Sequence, residues 1–321
     1  MLSRADRVRG IGLAMREALP VERLVDLGRA LDQYEDVTLW LPEFAVRESF
    51  AQLAYLAAHT DRLRLANGVA PMAARTPVAC GLAAATLEDL SGGRAVLGLG
   101  VSHPGMTAGW HGQDHRSPLA WAAEYLEVVR QVLDGRETEL EGAELRSHGF
   151  SLMDGGRPEV PTVLAALGPK MLELGARAAD GVLLNWTTPA YARESIERVT
   201  KAASTAGRPV PAVGAYIRIA AGPTADEQAR AHAEFYTGLA AYRRSLLRMG
   251  FRDDASLSDE AAKSLILRGS VEEIVEQAHA WSDSGIGPLV IYPIGDASSI
   301  DEAIDLGVEV VGRFATKRRD S

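Results

Sequence analysis

The sequence predicts an α/β fold, a (β/α)8 TIM barrel with two insertions, and three observations carry that prediction. Short runs rich in Val, Leu and Ile alternate with segments of helical periodicity along almost the whole chain. The runs are apolar at consecutive positions rather than alternate ones, as strands buried on both faces of a parallel sheet must be. The strand-helix pair recurs eight times in 321 residues, and no stretch rich in Pro, Gly or Ser divides the chain, so residues 1–321 read as one barrel domain.

The first strand is read at residues 11–15 (IGLAM) and its helix at 21–34. The second strand is 37–41 (VTLWL), followed by the helical VRESFAQLAYLAAHT. The third, 63–70, precedes a helix at 78–90, and the fourth, 95–100, precedes after a loop a helix at 121–133. Residues 161–167 (PTVLAAL) lead into PKMLELGARAA, and 181–185 (GVLLN) into YARESIERVTKAA. The seventh strand, 210–220, is followed by a helical tract to about Arg248, and the eighth, 287–293, by a terminal helix at 299–314. Residues 134–152 alternate as a hairpin would, inserted before strand five. Residues 224–270 are too long for one crossover and predict extra helices between strands seven and eight. Ser91-Gly92-Gly93 ends the helix before strand four, a glycine taking the left-handed position.

Composition narrows the function classes. At 47% hydrophobic and 24% charged residues the chain reads as an ordinary globular protein with a large core. A net charge of -9 argues against a nucleic-acid surface, which needs clustered Lys and Arg. No apolar run approaches a membrane span and the N-terminus lacks the pattern of a signal peptide, so a cytoplasmic protein acting on a small molecule is expected. The single cysteine, Cys80, lies in a helical run and is assigned to packing.

In a barrel of this kind the site is built at the C-terminal ends of the strands. Those ends carry Glu43 and Phe44, residues 67–70, Ser102 and His103, residues 166–170, Asn185 and Trp186, and residues 292–295. Gly98-Leu99-Gly100 looks like half of a dinucleotide fingerprint. The third glycine is missing, though, and Ser102-His103-Pro104 stands where the helix should begin, so the stretch is not read as a pyrophosphate cradle. His103 is the leading acid/base candidate, since imidazole titrates near neutrality, and Glu43 is a second. His103, His111, Asp114 and His115 lie close in sequence. No HExxH pattern is present and Gly112 argues against a helix, so no metal site is expected; a mobile substrate loop carrying Trp110 and His111 is preferred. Trp40 and Trp121 are assigned to packing.

Three blocks carry a resemblance: LANGVAPMAARTPVACGLAAATLEDLSGGRAVLGLGVSH, VPTVLAALGPKMLELGARAADGVLLNWTTP and GSVEEIVEQAHAWSDSGIGPLVIYP. In that order they resemble the luciferase-like monooxygenase superfamily, in particular its branch of oxidoreductases dependent on the deazaflavin coenzyme F420. The resemblance implies a tricyclic ring at the barrel mouth, for which Gly98 and Gly100 are expected to make room near the barrel axis. It would be backed by a bulge at Asn67-Gly68-Val69 whose Gly68–Val69 peptide is cis, with Ser102 at the ring edge. It also implies that Ala166, Gly168, Pro169, Lys170 and Met171 hold the coenzyme phosphate at a helix N-terminus, with Gly181 and Asn185 to Thr187 flanking it.

Phe44 stands where some relatives carry a catalytic histidine, and His103 where they carry a glutamate. This departs from sugar-phosphate dehydrogenase chemistry and leaves a reductase, or oxidation of another alcohol, as the expectation. Phe44, Trp110, His111 and Trp186 are the expected substrate contacts. Two alternatives stay open: an FMN-dependent monooxygenase using O2, and a coenzyme-binding protein without catalysis. Relatives imply a homodimer.

Overall fold

The computed structural model describes residues 3–16, 18–153, 156, 158–295 and 299–316. Eight parallel strands close on themselves: β1 (Ile11–Ala14), β2 (Val37–Leu41), β3 (Arg64–Asn67), β4 (Ala95–Gly100), β5 (Thr162–Ala165), β6 (Gly181–Leu184), β7 (Ala212–Ala220) and β8 (Leu289–Pro293). Each pairs with the next, and β8 returns to β1 with Ile11 opposite Leu289. Between the strands run helices whose inner faces form one apolar layer with the outer faces of the sheet. Inside the barrel a second cluster stacks Val8, Trp40, Val96, Val163, Leu183 and Tyr216 into a filled interior rather than a pore.

All eight expected strands form, within a few residues of the sequence boundaries. The third is interrupted: pairing stops at Asn67 and resumes only at Ala70–Pro71. The expected hairpin forms as Glu139–Glu141 against Arg146–His148, antiparallel. The expected cap is present, with Gly92 at φ +64° closing the helix Pro77–Ser91. Trp40, Cys80 and Trp121 are all buried packing residues, and burial pushes the Cys80 thiol up to about 11.

The insertion between β7 and β8 holds the helices Ala225–Thr237, Ala240–Arg248 and Leu257–Leu265, as expected, and also a strand the sequence did not suggest, Ile266–Arg268. That strand pairs in parallel with the end of β7. β7 is therefore long: its first half pairs with β6, its second with β8, and its end with the insertion, all nine residues buried.

The bottom of the barrel is closed by a short helix, Arg4–Val8, which follows a Ser3 cap. Arg7 makes a two-pronged ion pair with Glu88 at 2.9 Å and also donates to the carbonyls of Glu159, Gly93 and Ala95. Among the described residues no helix is long and apolar enough to cross a membrane.

Candidate active site

At the top of β3 the chain bulges through Asn67, Gly68 and Val69, and the Gly68–Val69 peptide is cis. The shape of the bulge dictates its neighbours. A Cβ at Gly68 would lie 2.7 Å from the Tyr216 hydroxyl and 2.8 Å from Trp40 Cβ, so only glycine fits. The Tyr216 hydroxyl donates to the Gly68 carbonyl from inside the barrel. A Cβ at Gly98 would meet the Asn67 carbonyl oxygen at 2.0 Å, and one at Gly100 would meet Val69 Cγ2 at 2.8 Å. The glycines of β4 thus make room for the neighbouring backbone, and the expectation that they leave space for a ring is corrected: the bulge itself occupies that space.

Glu43 fastens the bulge from the β2 side. Its N–H donates to the Val69 carbonyl at 3.3 Å, while its carboxylate accepts from the Ser49 hydroxyl at 2.8 Å and from Arg75 at 2.9 Å. Ser49 in turn accepts from the Asn67 side-chain amide at 2.8 Å. Arg75 also pairs with Glu48; burial alone would lower its pKa, and the two carboxylates outweigh that and hold it above its ordinary value. Both carboxylate oxygens of Glu43 are engaged in this brace.

On the β4 side Ser102 adopts φ +61° and is exposed, and His103 follows, half-buried. Among the described residues the His103 imidazole makes no hydrogen bond; its backbone carbonyl accepts from Met106 and Thr107. The chain then forms a π-helical turn, Gly105–Trp110, ending where Gly112 takes φ +63°. Residues 105–110 before the expected substrate loop thus form a short helical turn, while the chain from His111 to Arg116 is not helical, in keeping with the argument from Gly112. It carries Trp110, which is exposed and tilted against Phe44 at 5.3 Å between ring centres, with the Arg16 guanidinium on the Phe44 ring. His111 caps this turn. His115 points elsewhere, stacked at 3.6 Å on Trp121. Among the described residues no three His, Cys, Asp or Glu side chains come together as metal ligands would.

At the end of β5, Ala166 is buried and Gly168 is the N-cap of the helix Pro169–Ala178, with Pro169 in its first turn and no side chain capping it. A Cβ at Gly168 would come 3.3 Å from Arg248 Nη1, so the glycine lets a guanidinium lie beside the positive end of the helix. Arg248, from the insertion, was not singled out in the sequence. Ser245, one turn earlier, donates to the Leu167 carbonyl at 3.0 Å and fixes that approach. Lys170 is exposed and Met171 half-buried at the same end. Gly181 lies at the other end of the barrel, where its Cβ would be 3.0 Å from Val8 Cγ1, and its expected place beside the phosphate is corrected.

Beyond β6, Asn185 donates to the Tyr242 hydroxyl at 2.9 Å, and Trp186 takes φ +54° with its indole buried. The indole forms part of a cage around Arg218 of β7, a residue only 1% exposed. The guanidinium carbon lies 4.6, 4.8 and 5.1 Å from the ring centres of Trp186, Tyr236 and Tyr292, and its Nε donates to His232 Nε2 at 3.0 Å. Burial, then the charges of Arg218 and Arg16, push the His232 pKa down to about 2.

A family model described as luciferase-like monooxygenase matches residues 7–287. The chain belongs to that family. It is 28% identical, over 94% of its own length and 98% of the relative's, to a Mycobacterium tuberculosis protein that bears the name of a coenzyme F420-dependent oxidoreductase. It is 27% identical, over 83% of this chain and 88% of the relative, to a 5,10-methylenetetrahydromethanopterin reductase of Archaeoglobus fulgidus. The fold is similar to that of the coenzyme F420-dependent tetrahydromethanopterin reductase of Methanopyrus kandleri, with a TM-score of 0.74, 19% identity, and coverage of 95% of this chain and 99% of that one.

Proposed function

We propose that this family member is an F420-dependent oxidoreductase that moves a hydride between the deazaflavin C5 and a small organic substrate at the barrel mouth. One juxtaposition carries the reading. A braced, glycine-walled bulge at the end of β3 shares the rim with a helix N-terminus that faces a guanidinium at the end of β5. A flat ring and a distant phosphate ask for those two features, and the named relatives support the choice of coenzyme.

The residues present fit such a group. Asn67, Gly68 and Val69 would back the ring, with Ser102 at its edge. Ala166, Gly168, Pro169, Lys170, Met171 and Asn185 would hold the phosphate and linker, joined by Arg248. The coenzyme supplies a hydride donor or acceptor; the chain's own task is to place the substrate and manage the accompanying proton. His103, half-buried at the rim with its ring unengaged among the described residues, holds that proton. Phe44, Trp110, His111 and Trp186 bound the substrate space. Glu43 is assigned to positioning, because its brace to Ser49 fixes Asn67 and hence the bulge.

Spectroscopic titration with F420 and with FMN tests the reading. F420 binding is expected, and tight FMN binding without F420 binding would overturn it. Replacing His103 with alanine should lower turnover by about 100-fold or more while leaving coenzyme affinity unchanged. An unaltered rate removes His103 from the mechanism.

A further inference from the structure

Arg218 presents a problem of charge. It lies in the apolar run YIRIA, is 1% exposed, and among the described residues forms no ion pair with any carboxylate. Its one hydrogen bond there is to His232, which as an acceptor through Nε2 is neutral and contributes no countercharge. The three aromatic faces offset part of the cost of burying a cation, through their quadrupoles, but they leave the net charge in place. Among the described residues the buried Nη2 nitrogen has no hydrogen-bond partner, and the same is true of the Trp186 Nε1 nitrogen in the same cage.

The position of the cage relates this charge to the mouth. Side chains of a strand alternate between faces, so Arg218 shares the inward face of β7 with Tyr216, two residues earlier. Tyr216 is the residue that donates to Gly68 under the bulge. Arg218 therefore stands in the next layer toward the rim, level with Tyr292 of β8, its partner in register. A planar guanidinium with unused donors, dry and held by rings on several sides, is built to meet an anionic oxygen.

We propose that Arg218 receives the carboxylate of an anionic substrate, with the Trp186 indole N–H as a second donor in the same cage. The proposal deepens the functional reading and rests on the mouth being where the reaction occurs. Entry requires the Trp186 indole or the Tyr236 ring to swing aside, since both cover the guanidinium. An anionic oxygen could also come from the coenzyme ring; the substrate is chosen because the coenzyme phosphate already has its own cation at Gly168.

Calorimetric titration of the full chain with benzoate and with benzamide, in the absence and presence of saturating F420, is the test. The two probes match in shape and differ in charge. The protein should bind benzoate about tenfold or more tighter than benzamide. Arg218→Met should abolish that preference, Arg218→Lys should keep part of it, and Trp186→Phe should reduce it several-fold, all without changing F420 affinity by more than about twofold. Absence of any preference in the unsubstituted protein overturns the proposal, whatever the variants do. So does a preference that survives Arg218→Met or is lost in Arg248→Ala, or a loss of F420 affinity in Arg218→Met with the benzoate preference intact. Failure of the functional reading shows separately, as a protein that prefers benzoate but does not bind F420.

Discussion

The bond between Arg218 and His232 makes stability depend on pH in a calculable way. Arginine keeps its proton, so the Nε–H can be accepted only by an unprotonated His232 Nε2, 3.0 Å away. Protonation would break that bond and place two cations in contact. Arg218 and Arg16 are the charges acting on the imidazole, and the rings of Trp186, Tyr236 and Tyr292 pack against it. Its folded pKa, pushed down to about 2, lies below the unfolded value of about 6.5. A depressed histidine leaves the folded state unable to take a proton that the unfolded state accepts. Stability is therefore full above the unfolded pKa and falls as pH drops from about 6.5 toward 2.

Between pH 7.5 and pH 5 the loss from this one residue is about 2 kcal/mol, and the figure holds for any folded pKa well below 5. His232→Gln keeps an acceptor at the same reach and removes the titration. Urea unfolding of both proteins across this range should show the unsubstituted chain losing about 2 kcal/mol more than the variant. Parallel profiles would mean that His232 takes up its proton in the folded state, and the reading of the cage would be wrong.

Three further outcomes follow from the geometry. Gly98→Ala drives a Cβ to 2.0 Å from the Asn67 carbonyl, so the bulge must move: expect about 1–3 kcal/mol lost in urea unfolding and weaker F420 binding, with Gly109→Ala, which meets nothing within 4 Å, as the silent control. Glu88→Ala strips the buried partner from Arg7 and an acceptor from the Ala95 N–H, and should cost about 3 kcal/mol of stability with kcat unchanged, because this pair closes the end of the barrel opposite the site. Gly168→Val fills the space beside Arg248 and should raise the F420 Kd about tenfold or more while leaving kcat at saturating coenzyme nearly as before, a split that steady-state kinetics resolves.

Most of the barrel was legible because its strands are buried on both faces, which writes each of them as an uninterrupted apolar run. The unread elements are those whose signal is too short or comes from elsewhere. Arg4–Val8 is a helix of five residues, and Ile266–Arg268 a strand of three inside a helical tract, held by pairing to β7 rather than by its own pattern. The meaning of Gly98 and Gly100 depends on the path of Asn67 and Val69 on another strand, and so could not be read from β4 alone. Glu43 was found as a strand-end carboxylate, yet its brace needs Ser49 and Asn67, brought together only by the fold. Arg218 did leave a mark: a single charge within a nine-residue strand buried at every position. A charge in such a run has to be compensated by something, and asking what compensates it would have led to the cage.

Four of the residues the sequence reading missed share an origin. Arg248, His232, Tyr236 and Tyr242 all come from the helices inserted between β7 and β8. The barrel strands supply the features assigned to the coenzyme ring in the proposed function: the bulge, its glycine walls and the hydroxyl beneath it. The insertion supplies the Arg248 guanidinium beside Gly168, the acceptor for Arg218, and Tyr236 of the cage around it. Loops on a rigid scaffold can change without unsettling the core, so an insertion is a place where a barrel can vary its site. In this chain the insertion, through Tyr236 and His232, joins Trp186 and Tyr292 in keeping Arg218 dry. A guanidinium left open to water would bind a carboxylate weakly, whereas one enclosed by Trp186, Tyr236 and Tyr292 gains most of the strength and selectivity of a charge-assisted bond. On the proposed reading, closure of the insertion over β7 governs access to Arg218, and through Arg248 the same insertion also reaches the coenzyme end.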